Sequence, residues 1–109
     1  MNNYQVNRAK WRQLTIFEQM GNIYSEVGRA LAAHRRDDSE GFLAAFSRGL
    51  DLFDATAAAW TAKHDMARVH EILRAREQFA RVILTGEDDP KLEQYFSQFA
   101  VAARLRQFA

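Results

Sequence analysis

The groups in this 109-residue chain that could do chemistry are 3 histidines, 14 carboxylates and 15 lysines and arginines, because there is no cysteine. His34, His64 and His70 make no metal motif. No pair has the i, i+4 spacing of a helical zinc site, and no carboxylate-x-x-His element of a di-iron bundle occurs. Arg29 and His34 offer a cation for phosphate and an imidazole for a proton. On a straight helix, however, their side chains point about 140° apart, so capping or chance explains the spacing better. Asp51 and Asp54 are near enough to share a cation, but with Arg48 close by they read as a solvated flank. A glycine-rich nucleophile elbow and a phosphate-cradling loop are both missing from the sequence. The expectation is a non-enzyme with no cofactor and no metal.

Arg76 is the one charge that falls in the middle of an apolar helical face, between Ile72 or Leu73 and Phe79 or Ala80. A guanidinium in such a place needs a carboxylate. Glu26 flanks the stripe of the first long helix and Asp54 that of the second. The sequence therefore predicts a buried ion pair of Arg76 with Glu26 or Asp54 that fixes helix register. An anion site between helices is the sharper alternative.

The elements that position these groups follow from the periodicity. Thr15 with Glu18 three residues later is a capping box, which starts a helix. Ile16, Met20, Ile23, Val27, Ala30 and His34 then recur at spacings of three and four, the pattern of a core-facing helix. The cluster Arg35, Arg36, Asp37, Asp38 ends it and opens a second helix of about 24 residues, with cations at one C-terminus and anions at the next N-terminus as the macrodipoles prefer. The stripe of that helix is Phe42, Phe46, Leu50, Phe53, Ala57 and Trp60. After a break at 61–65, Met66, Val69, Ile72, Leu73, Phe79, Ala80 and Ile83 mark a third helix that Thr85-Gly86 closes. Asp89-Pro90 opens a fourth, with Leu92, Tyr95, Phe96, Phe99 and Ala103 inward. No stretch alternates with period two. The expected fold is all-α, an antiparallel up-down-up-down four-helix bundle over 15–109 with a short N-terminal arm over 1–14, whose Tyr4, Trp11 and Leu14 cover one end of the core.

Composition bounds the rest: 48% of residues are hydrophobic, 27% are charged, and the formal net charge is +1. This suits one compact domain with a modest core. Nothing resembles the ~18-residue apolar run of a membrane span, and Met1 to Leu14 is too polar for a secretory signal, so a cytoplasmic address is expected. On a helical wheel Ala45, Leu52 and Ala59 fall away from the stripe of the second helix, as do Val101, Leu105 and Phe108 from that of the fourth. Contiguous apolar surface usually marks an interface. The first reading is therefore a non-enzymatic interaction or assembly module, self-associating through these faces, as a dimer in its simplest form. The second reading is an RNA-binding accessory factor. Arg8, Lys10 and Arg12 beside Trp11, with Arg35, Arg36, Arg104 and Arg106, would make one end of the bundle basic.

Several stretches carry a resemblance: Trp11-Arg12 with Leu14, Glu18-Gln19-Met20, Asn22-Ile23, Ser25-Glu26-Val27, Leu50-Asp51-Leu52 with Asp54, Glu71 to Glu77, and Tyr95-Phe96 with Phe99-Ala100. Together they resemble a group of small uncharacterised bacterial helical proteins of about this length, and the resemblance implies a four-helix bundle but no activity. In size and helix layout alone the chain is also similar to bundle proteins encoded within ribosomal RNA intervening sequences and to accessory proteins of diversity-generating retroelements. The Arg29–His34 spacing is shared with helical ribonucleases of the HEPN class, from which the chain departs at Ala30 and in placing the pair on its first long helix.

Overall fold

The computed structural model describes residues 6–85 together with Gln94 and Val101, with the backbone alone at 82–84. The chain is an all-α, four-helix bundle. Its helices run α1 (Arg8–Trp11), α2 (Ile16–Arg35), α3 (Ser39–Ala62) and α4 (Met66–Thr85). The first is the arm, and the other three are the first three long helices predicted above. The helix expected over 90–109 lies outside the described residues apart from Gln94 and Val101, which are helical.

Each long helix starts where side chains satisfy its orphan amides. Thr15 and Glu18 form the reciprocal capping box at α2, with bonds of 3.1 and 3.0 Å. Asp38 accepts from the Gly41 amide at α3, and Asp65 from the Arg68 amide at α4. A Cβ at position 41 would run into the Asp38 carboxylate, which is why the third residue of α3 is glycine. That amide, followed by the Arg36 guanidinium, holds the Asp38 carboxyl below the usual carboxylate range.

The turns that follow α2 and α3 share one design. The amides of Asp38 and Asp37 reach back to the carbonyls of Ala33 and His34, and those of Asp65 and His64 to the carbonyls of Trp60 and Thr61. This is the Schellman pattern, which needs a left-handed residue just past the helix. Asp37 (φ 58°) and His64 (φ 59°) occupy that position without being glycine. Replacing His64 by glycine is expected to raise stability by about 0.5–1 kcal/mol in denaturant titration, because relief of the left-handed strain outweighs the added freedom of the unfolded chain.

Side-chain partners along the helices show that α2, α3 and α4 run antiparallel in turn: Gln19 meets Trp60, Glu26 meets Arg48, and Asp54 meets Arg76. Helix α3 is central. It packs most extensively on α2 and also carries α4 and α1. This corrects the wheel-based expectation for α3. Ala45 (0% exposed), Leu52, Ala55 and Ala59 are buried within the chain, whereas Phe42, Phe46, Leu50, Ala57 and Trp60 are only partly covered. A helix flanked on more than one side buries several arcs of its surface, leaving Leu43, Ser47, Asp54 and Ala58 exposed, and small residues occupy the lines of closest approach because they let backbones come together. The same logic places Gly49 under Phe79, whose ring lies 3.1 Å from where a Cβ would be.

In α4 the inner line is Val69, Ile72, Ala75 and Phe79. Met66 and Leu73, expected on that face, are instead exposed. The α3–α4 contact is narrow, so only side chains within about one stripe reach it.

Candidate functional site

The most elaborate chemistry in the described chain is a buried polar network that seats the arm. Trp11 Nε1 donates to Thr56 Oγ1 (2.9 Å), and the Thr56 hydroxyl donates in turn to the Leu52 carbonyl (2.7 Å). Gln19 Nε2 donates to the Trp11 carbonyl (2.9 Å), and Gln19 Oε1 accepts from Trp60 Nε1 (2.8 Å). Gln19 and Thr56 are both fully buried, and no buried side-chain polar atom among the described residues lacks a partner. Such a network is worth having only when complete, because one orphaned group in a low-dielectric interior costs more than the bond returned. At the arm's outer end Asp51 accepts from the Val6 amide (3.2 Å) and lies 3.9 Å from the Arg8 guanidinium.

Three side chains on α2 and α3, Asp51, Thr56 and Gln19, thus read four features of the arm: an amide at Val6, a cation at Arg8, an indole at Trp11 and the carbonyl of Trp11. A helix of four residues has no stability of its own. Tertiary contacts hold the arm in place, with Trp11 as the anchor in the core.

The ionic groups sort differently from expectation. Arg76 does reach Asp54, its Nε donating across 2.9 Å, but the pair lies at the surface with the Arg76 side chain 35% exposed. Arg76 stands at the edge of the α4 stripe, where a long side chain carries its charge out to water. Glu26 is the buried carboxylate. It is 8% exposed and accepts from Arg29 (2.6 Å) and from Arg48 (3.2 Å) on α3. Arg29 is therefore engaged one turn back along α2, and His34 lies against Phe42 with ring centroids 5.6 Å apart. The two do not converge on a common point. Among the described residues no group of three potential ligands could hold a metal ion, and no helix is long and apolar enough to cross a membrane.

Among the described residues the expected basic groups do not gather at one end. Arg12 precedes the N-terminus of α2 while Arg35 and Arg36 close its C-terminus, about 30 Å away at 1.5 Å per residue. Arg36 pairs with Asp38 at 3.1 Å. A different cationic group forms beside the arm, where Lys63 Nζ and the Arg68 guanidinium lie 4.2 and 4.5 Å from the centre of the Trp60 ring. Gln19 bonds both Trp60 and the Trp11 carbonyl, so Arg12 is one residue removed from that cluster. Arg104, Arg106, Leu105 and Phe108 lie outside the described residues, and Val101 is exposed.

Sequence reasoning missed Gln19, Thr56 and the cations over Trp60. The available signal was the two tryptophans, since a buried indole N–H requires an acceptor. No family model, no curated protein and no solved structure matches the chain.

Proposed function

We propose that the protein is a non-catalytic helical interaction module that self-associates, with a dimer as the simplest assembly. The observation that carries this reading is the apolar strip on the first half of α3. Leu43 is 60% exposed, and Phe46 and Leu50, on the same side of the helix, are only partly covered. An exposed leucine beside two partly covered large apolar side chains supports a contact surface. It replaces Ala45, Leu52 and Ala59, which the chain's own packing consumes. Near-neutral net charge leaves little long-range repulsion between copies. Light scattering of the purified chain should give a dimer or larger species, and Leu43→Glu should convert it to a monomer that keeps its far-UV circular dichroism and loses the concentration dependence of its melting midpoint. A wild-type chain that stays monomeric at high concentration rules the reading out.

A second reading is favoured by Lys63 and Arg68, which lie over the ring of Trp60. Aromatic rings flanked by cations suit single-stranded nucleic acid, which supplies phosphates and bases together. If this surface binds RNA, affinity should fall steeply with salt, and Lys63→Gln with Arg68→Gln should flatten that dependence by about two phosphate contacts. A salt-independent interaction would remove it.

A further inference from the structure

We infer that the slot formed by Asp51, Thr56 and Gln19 is a peptide-binding site that also takes the arm of a second copy of this chain, so that two copies exchange their N-terminal arms. The site has the parts of a recognition groove. Asp51 Oδ2 takes a backbone amide and Oδ1 faces a cation two residues further along. Thr56 Oγ1, its own proton committed to the Leu52 carbonyl, presents a lone pair to an indole. Gln19 Nε2 takes the carbonyl behind that indole. What is read is the segment Val6-x-Arg8-x-x-Trp11, and none of these contacts depends on a covalent link between arm and slot.

Two further features favour exchange. The amides of Gln13 and Leu14 bond back to Lys10 and Trp11, so the arm and its turn hold together as a local unit. The capping box at Thr15 and Glu18 is made within the start of α2 and uses no group of the slot. The bonds of Val6, Arg8 and Trp11 to Asp51, Thr56 and Gln19 that an opening breaks are ones that a second copy's identical slot remakes. Exchange of identical elements is a low-cost route to a dimer because no new surface has to be created. The slot is separate from the α3 strip, and the inference stands whether or not that strip self-associates.

The test supplies the arm in trans. A synthetic peptide of residues 6–14 is titrated into the full chain carrying Trp11→Ala, with the heat of binding and the melting midpoint as readouts. Saturable binding that raises the midpoint is expected, weakened about tenfold when the peptide carries Trp11→Phe, which removes the indole donor. Should Trp11→Ala fail to fold, the Trp11→Phe chain offers the same slot with a weaker resident arm for the peptide to displace. For exchange between whole chains, the cysteine-free background allows Val6→Cys and Asp51→Cys variants to be mixed and oxidised. A disulfide joining one variant to the other, resolved by mass, is expected. Absence of peptide binding to both chains overturns the site, and binding without the mixed disulfide overturns exchange.

Discussion

Replacing Trp11 by alanine is expected to cost about 3–5 kcal/mol, a large part of the roughly 5–15 kcal/mol that stabilises a domain of this size. Removing the indole takes a large apolar surface from the core and also releases the arm, because the four-residue α1 has nothing else of comparable size to hold it. Phenylalanine at the same position separates the two contributions. It keeps most of the ring but cannot donate to Thr56, so a loss of about 1–2 kcal/mol is expected. Gln19→Leu should cost more than Trp11→Phe, since it orphans the Trp60 N–H and leaves the Trp11 carbonyl with the Leu14 amide as its one remaining donor. Guanidinium titrations followed by far-UV circular dichroism give these values. Equal losses for Trp11→Phe and Trp11→Ala would mean that the hydrogen bond, and not the packing, seats the arm.

That a residue in the polar stretch Met1 to Leu14 is so deeply committed shows where the sequence was legible. Helix boundaries were, because capping leaves local marks: Thr15 with Glu18 and Asp38 each announce a start within the residues that use them. The turns were harder, since Asp37 and His64 do the work for which glycine is the usual sign. Side-chain depth was harder still. A wheel drawn for α3 identifies its apolar arcs but not how many neighbours it has, and Ala45 or Ala59 looks the same at an interface, on a surface or at the tightest point of the core. Packing against both α2 and α4 decides the matter: Phe53 of the expected stripe is fully buried, but Ala45, Leu52 and Ala59 are buried with it while Phe42 and Phe46 stand at the margin. For Arg76 the sequence offered Glu26 or Asp54 as a buried partner; the structure pairs it with Asp54 at the surface, because periodicity fixes angle around the helix and says nothing about how far a guanidinium extends.

The buried charge lies instead at Glu26, and the sign of its contribution can be tested. Two arginines share the carboxylate, Arg29 from the same helix with its side chain 63% exposed and Arg48 from α3 with 24%. Removing either one leaves the other in place, so Arg29→Met and Arg48→Met are each expected to cost about 1 kcal/mol or less. The double variant leaves a carboxylate inside the bundle with no counter-charge, and about 3 kcal/mol is expected, well beyond the sum of the singles. Adding Glu26→Leu to the double variant should then recover most of that loss, because a leucine of similar volume needs no partner where α2 meets α3 near Gly49. The surface pair of Arg76 and Asp54 supplies the contrast. Its double-mutant cycle should show under about 1 kcal/mol of coupling, reduced further by salt, since water solvates either partner left alone. Failure of Glu26→Leu to recover stability would mean that the carboxylate organises the α2–α3 contact through its geometry, with Arg48 serving as a hydrogen-bonded tie across the helices and not only as a counter-charge.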